Sequence, residues 1–303
     1  MDLTKITLYK TIVMAILALF GFFSFKLKII DDPTNKKLSE LVLTLFTPIL
    51  LFVSFQVEID SSLINGFKIS IVLSLLSFVL VWIISKYIIR NQTKDYAIVE
   101  HISLIYSNCG FIGIPLAQGI FGIEGVLYMT VYVAIMNFLI WSHGIIVMSG
   151  KSDTKAIKNV FTSPTILSIV IGVTFFALKI NIPEIIKEPL TLIAGMNTPM
   201  AMIVAGVNIA QTDIKKAFLK KRLYMLSLIK LLLMPISLAY LLKLTNINTT
   251  VKAIAILSVA CPSGVTGSLF ALRFKKDALY ASEIFAITTL ASIITIPFVM
   301  IFV

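Results

Sequence analysis

The sequence predicts an all-α integral membrane fold, with ten transmembrane helices arranged as two inverted five-helix repeats and with broken, crossing fourth and ninth helices. Three observations predict it: near-continuous apolar runs, basic residues concentrated in alternate loops, and two glycine- and proline-rich interruptions about 151 residues apart.

The apolar runs come first. Of 303 residues, 58% are hydrophobic and only 14% charged, where a soluble domain carries ~25% charge. Mean hydropathy is +0.99. A water-facing exterior cannot be built from this composition, and a hydrocarbon-spanning helix needs about 20 apolar positions. Ten such stretches fit, at 8–27, 38–56, 67–89, 97–120, 124–148, 162–180, 186–210, 219–242, 250–271 and 279–302. The first has no small-residue cleavage site after it and reads as a retained helix. The connections are too short to hold a soluble domain.

Charge sets the orientation. The net charge is +11, which in a soluble chain would suggest nucleic acid. Here the basic residues lie between apolar runs, so a topogenic and lipid-headgroup role is expected, with no nucleic-acid partner. The loops after spans 1, 3, 5, 7 and 9 carry eighteen Lys and Arg, and the opposite side carries seven. The positive-inside rule therefore expects a multi-pass protein of the cytoplasmic (inner) cell membrane with both termini outside.

The repeat follows from spacing. Thr47-Pro48 recurs as Thr198-Pro199, Gly113 as Gly264, and Lys68 as Lys220, each 151 or 152 residues on. Five spans per half force the second copy upside down, an arrangement recurrent in secondary transporters. Residues 1–149 are the first repeat, 150–161 a cytoplasmic linker and 162–303 the second repeat.

Within the fourth span, Ser107-Asn108-Cys109-Gly110-Phe111-Ile112-Gly113-Ile114-Pro115 weakens the helix by glycine freedom and a missing proline N–H. Ala260-Cys261-Pro262-Ser263-Gly264-Val265-Thr266-Gly267 does so in the ninth. Paired interruptions point to a midplane substrate site, where half-helix N-termini suit an anion. The expected breaks lie at Gly113–Pro115 and Pro262–Gly264. A simple proline kink is the competing reading for either one alone.

Taken in order along the chain, Asn108, Gly113-Ile114-Pro115-Leu116, Asn137 and Trp141, Pro199 and Gly206, Ala260-x-Pro262-x-Gly264 and Ser292-x-x-Thr295-x-Pro297 resemble the auxin efflux carrier family. That family includes plant PIN-type auxin exporters and bacterial malate or malonate permeases. The resemblance implies a scaffold of spans 1, 2, 6 and 7, often dimeric, hence a homodimer through scaffold helices. It implies a moving unit of spans 3–5 and 8–10, elevator-type alternating access, Asn108 as a substrate contact, and Pro115 and Pro262 as the crossing prolines. The sequence departs from plant members in the third span, where nothing between Ile69 and Ser85 is charged. A coupling role therefore does not transfer to that span.

The expected substrate site is Asn108, Cys109, Gly113, Pro115, Asn137, Cys261, Pro262, Ser263, Gly264, Thr266 and Lys230. Lys230 is read either as an electropositive element for an anion or as a side chain snorkelling to the cytoplasmic face. Asn137 either bridges helices or lines the site. Cys109 and Cys261 are read as small packing residues. Glu283 is expected to be a solvated helix-start carboxylate, with titration during transport as the alternative, while Glu100, His101 and His143 are expected at the interface, with pH sensing by His101 and proton relay by His143 as the alternatives. No catalytic, metal or cofactor constellation occurs: there is no HExxH, no paired intramembrane aspartate and no Walker motif. The expected function is secondary or facilitative transport of small organic anions, either dicarboxylates or auxin-like carboxylates. Proton coupling, sodium coupling and uniport all stay open, as do a sodium symporter of the bile-acid-carrier type and a ligand-sensing receptor on a carrier fold.

Overall fold

A computed structural model describes residues 3–57, 61–89, 95–150 and 161–303. Every named element among them is helical: α1 Leu3–Lys26, α2 Asp32–Ser54, α3 Ser61–Ile88, α4 Asp95–Ile105, α5 Cys109–Ser149, α6 Pro164–Ala177, α7 Glu184–Gln211, α8 Ile214–Phe218, α9 Lys221–Lys243, α10 Thr249–Ala260, α11 Val265–Arg273 and α12 Ala278–Phe302. Among the described residues seven helices (α1, α2, α3, α5, α7, α9 and α12) are long and apolar enough to cross a membrane, and α6 and α10 are shorter apolar helices. The proposed linker, residues 150–161, lies almost wholly outside the described residues.

The helices are apolar on nearly every side, and what distinguishes their inner faces is small side chains, many of them hydroxyl-bearing. In lipid, helices associate by close packing and hydrogen bonding, which favours small residues at the contact. The inward stripe of α3 is Gly66, Ser70, Leu73, Ser74, Ser77, Val81 and Ser85, while Val72, Leu76 and Val79 point outward. In α1 the buried stripe is Thr7, Thr11, Met14 and Gly21, with Phe20 and Phe23 exposed. Thr7, Thr11, Ser70 and Ser74 return their hydroxyl protons to the preceding turn, as Thr7 does to Leu3 O (2.8 Å) and Ser70 to Gly66 O (2.9 Å).

α5 contains 41 residues. Straight, it would measure about 60 Å, roughly twice the hydrocarbon thickness. It is not straight: Gly122, at φ 65° and ψ −147°, reverses the chain. A Cβ placed on Gly113 would lie 3.4 Å from Met129 Cε, although sixteen residues of straight helix would separate the two by about 24 Å. This turn sits between the fourth and fifth stretches read from hydropathy.

Prolines act by widening turns rather than breaking helices. The wide turns Val42–Phe46, Cys109–Gly113 and Ile229–Leu233 end two residues before Pro48, Pro115 and Pro235. A proline supplies no N–H and its ring crowds the carbonyl one turn back; a π-type turn relieves both problems. At the start of α2, Asp31 Oδ1 accepts the Thr34 N–H at 2.9 Å, and the Thr34 bonds hold this loop carboxyl below its usual range.

α1 packs along the second half of α7 and also meets α12. α2 packs against α6 and α7. Thr47, in the turn before Pro48, donates to the buried Asn197 Oδ1 at 2.7 Å, tying α2 to the bend of α7. A second group gathers α3, α4 and α5 with α9 to α12. The α1–α7 contact depends on two glycines. A Cβ on Gly21 would collide with the Ile203 carbonyl, and one on Gly206 with the Ala18 carbonyl. Gly206→Val should therefore destabilise the folded protein by about 1–3 kcal/mol through overpacking, read as a fall in the thermal unfolding midpoint of purified protein. An unchanged midpoint would mean that the two helices do not approach this closely.

Candidate substrate site at the crossing of two broken helices

α4 ends at Ile105 and α5 begins at Cys109; α10 ends at Ala260 and α11 begins at Val265. The extended segments between them run antiparallel. Asn108 N–H donates to Pro262 O at 2.8 Å, Gly264 N–H donates to Tyr106 O at 2.9 Å, and Ser107 faces Ser263. Each break thus satisfies the backbone groups that the other exposes, as a nonaqueous interior requires.

The first break falls at Tyr106–Asn108, not at Gly113–Pro115. The helix runs on through Pro115, because the wide turn Cys109–Gly113 just ahead of it absorbs the missing proline N–H. The second break lies at Cys261–Gly264, where the sequence places it.

Leaving the helix at Tyr106 frees the carbonyls of Ser103 and Leu104, whose partners four residues on would be Ser107 and Asn108. Ser263 Oγ donates to Ser103 O at 2.8 Å. Lys230 Nζ donates to Leu104 O at 2.9 Å and to Ser107 Oγ at 2.6 Å. Lys230 is fully enclosed, at 0% exposure, so the snorkelling reading is set aside. Its stem is held by the wide turn Ile229–Leu233, which carries it to the protein interior. Ser263 N–H is taken by Thr288 Oγ1 on α12 at 3.2 Å.

Asn108 caps α5: its Oδ1 accepts the Phe111 N–H, at 3.4 Å. Its Nδ2 is buried with no hydrogen-bond partner, a donor whose desolvation costs about 1–3 kcal/mol unless something accepts from it. Gly113 lies against both cysteines: a Cβ there would be 3.3 Å from Cys261 Sγ and 3.4 Å from Cys109 Cβ. The thiols are free, and Cys109 Sγ reaches Ser258 O at 3.4 Å. Asn108, Cys109, Gly113, Cys261, Pro262, Ser263, Gly264 and Lys230 therefore meet in one place. Pro115 is buried farther along α5. Asn137 and Thr266 are half-buried and make no side-chain hydrogen bond among the described residues.

One reading of an ionisable residue is corrected, and three others gain partners. Glu283 is 2% exposed, not solvated, and pairs with Lys220 through both oxygens (2.8 and 2.5 Å). Glu100, at 1% exposure, is covered by protein: Arg222 Nε and a terminal nitrogen reach its two oxygens at 2.9 and 2.6 Å, and Tyr280 OH donates at 2.7 Å. His101 is buried, its Nδ1 lying 2.8 Å from Ser85 Oγ. His143 is half-buried, with Nδ1 lying 2.8 Å from Tyr106 Oη. These pairs bind α4, the start of α9 and α12 at one end. Among the described residues no three His, Cys, Asp or Glu side chains gather as metal ligands.

Sequence reasoning missed Ser107, Thr288 and Arg222. Thr288 lies 151 residues beyond Asn137, so the repeat spacing held a signal for it. Arg222 had none, because its partner Glu100 is 122 residues away.

The family described as membrane transport protein matches residues 7–162 and 151–300. The chain belongs to this family, the auxin efflux carriers. An uncharacterized transporter of Methanocaldococcus jannaschii is 24% identical to it over 297 residues, covering 93% of this chain and 94% of that protein. An uncharacterized transporter of Methanothermobacter thermautotrophicus is 23% identical over 291 residues, 93% of each chain. The Escherichia coli uncharacterized transporter YfdV is 22% identical over 295 residues, again 93% of each. This auxin efflux carrier family member is a multi-pass membrane transporter and not an enzyme.

The buried pair allows a direct test. Arg222→Ala strands the Glu100 carboxylate with only the Tyr280 hydroxyl and should lower stability by about 1–3 kcal/mol. Glu100→Gln combined with Arg222→Ala should cost less than Arg222→Ala alone, because no buried charge is left unpaired. Thermal unfolding of Arg222→Ala, Glu100→Gln and the double variant checks the order; additive losses would show that the pair is not coupled.

Proposed function

We propose that this transporter carries small organic anions through the crossing of α4–α5 and α10–α11. The observation that carries the reading is the buried Asn108 Nδ2, which has no hydrogen-bond partner. It stands at the N-terminus of α5, whose positive dipole end favours an anion as that of α11 does, and the Lys230 ammonium is bound to the preceding residue through Ser107 Oγ. A carboxylate accepts from all of these. The two acids nearest in role, Glu100 and Glu283, are neutralised by Arg222 and Lys220, so the crossing keeps its positive character.

A cavity of about 250 Å³ runs alongside, between α1, α7 and α12, lined by Phe22, Ile112, Leu116, Met202, Ile296 and other largely apolar side chains. Ile112 lies one turn from Asn108 on α5, its N–H bonded to Asn108 O. An anion with one carboxylate and an apolar body suits this pairing better than a dicarboxylate.

In this reading the helices form ten spans in two inverted repeats. α4 with the arm of α5 before Gly122 forms the fourth span, and α10 with α11 forms the ninth. The groups α1, α2, α6, α7 and α3–α5, α9–α12 become scaffold and mover in an elevator cycle, with a homodimer through the scaffold, both termini outside and the protein in the cytoplasmic membrane. The repeat spacing and the packing groups support this division.

The test is a thermal-shift series of acids on purified protein: aliphatic and aromatic monocarboxylates, dicarboxylates, and the neutral amide of each. Ligand binding raises stability by mass action. Monocarboxylates should stabilise at lower concentration than dicarboxylates, and the amides should not stabilise. Asn108→Ala should stay folded and bind the best acid roughly tenfold more weakly, the loss expected for one hydrogen bond to a charged group. Unchanged affinity and flux in Asn108→Ala would remove this residue from the site.

A further inference from the structure

The Lys230 ammonium sits where a small monovalent cation would sit. The break at Tyr106 opens α4 at its C-terminal end, the negative pole of the helix dipole. Leu104 O loses its helical partner because Asn108 N–H turns instead to Pro262 O. Carbonyl oxygen Leu104 O and hydroxyl oxygen Ser107 Oγ then converge on one point, 2.9 and 2.6 Å from Nζ. Carbonyl and hydroxyl oxygens of unwound helix are the ligands by which transporters hold coupling sodium ions. No carboxylate takes part, so the place suits one positive charge. That charge is supplied covalently, from a side chain with 0% exposure, on a wide turn that fixes its direction.

We infer that Lys230 is a built-in monovalent cation: it fills the cation position of the broken fourth span permanently, so that this position takes no sodium in the native protein, and removing the side chain opens a site for sodium or a small ammonium ion. The inference deepens the carrier reading, since it assigns the position in the crossing where a coupling cation would act. Three features argue against plain structural filling. The two acceptors come from the break itself, the lysine donates to both, and among the described residues it has no acidic partner.

The experiment is thermal unfolding of the purified protein, with no organic acid present, at constant ionic strength. N-methylglucamine chloride is replaced stepwise by sodium chloride or by methylammonium chloride. The wild-type midpoint should not respond to either replacement. Lys230→Ala should unfold several degrees lower in N-methylglucamine and recover saturably in sodium or methylammonium. Lys230→Met, which fills the space without charge, should not recover. Saturable stabilisation of the wild type by sodium would overturn the proposal, and so would a Lys230→Ala protein that ignores both cations. If Lys230→Ala does not fold, the wild-type titration decides alone: indifference to sodium supports the inference and a saturable shift overturns it. Because no carboxylate is added, failure here leaves the carrier reading standing. A failed acid screen leaves this result standing in turn.

Discussion

The structure depends on two peptide hydrogen bonds: Asn108 N–H to Pro262 O and Gly264 N–H to Tyr106 O. An unpaired peptide group in hydrocarbon costs several kcal/mol, so neither α4–α5 nor α10–α11 can be interrupted by itself. Each interruption is tolerable only because the other is present and antiparallel. This mutual requirement draws two segments about 155 residues apart in sequence into one place, and it carries α3, α5, α9 and α12 with them as the helices that wall the crossing. The side chains then complete what the two bonds leave undone. Ser263 and Lys230 cap the freed carbonyls of α4, and Thr288 takes the Ser263 amide.

The same constraint explains how prolines are used. Pro48, Pro115 and Pro235 each follow a widened turn, so the missing donor is absorbed within the helix and the span stays intact. Pro262 is different, because it stands outside a helix and contributes only its carbonyl, which Asn108 uses. A proline in a span therefore marks a break only where a neighbouring extended segment can accept the exposed backbone. In the first half that segment is Tyr106–Asn108, which contains neither glycine nor proline.

This is why the sequence located the second break better than the first. Pro262 and Gly264 bracket the extended segment itself. Gly113 and Pro115 sit beyond theirs: Gly113 packs closely against Cys109 and Cys261, and Pro115 follows a widened turn within α5. The all-helical membrane character was legible because it rests on a local signal, apolar run length, and the gap between the stretches 97–120 and 124–148 holds the turn at Gly122. The buried ion pairs were not legible, since Glu100 and Arg222 are brought together only by the fold. A carboxylate near a span end reads as solvated until the helix that covers it is known. Lys230 could be read either way for the same reason: the position of a charge along a span says nothing of which neighbour it faces.

Charge in the described interior thus falls into two kinds. At the end where α4, α9 and α12 begin, acids and bases are matched, and the pairs join helices on one side of the crossing without leaving net charge. At the centre a single lysine stands without an acid and is balanced only by carbonyl and hydroxyl dipoles. Matched pairs stabilise one fixed arrangement, so they suit a body that moves as a unit. An ammonium balanced only by dipoles keeps positive potential to share, so it suits a place where an anion comes and goes. The two kinds occupy the places that a rigid mover with a central anion site would assign to them, which makes the division of charge an argument for the carrier reading independent of the repeat.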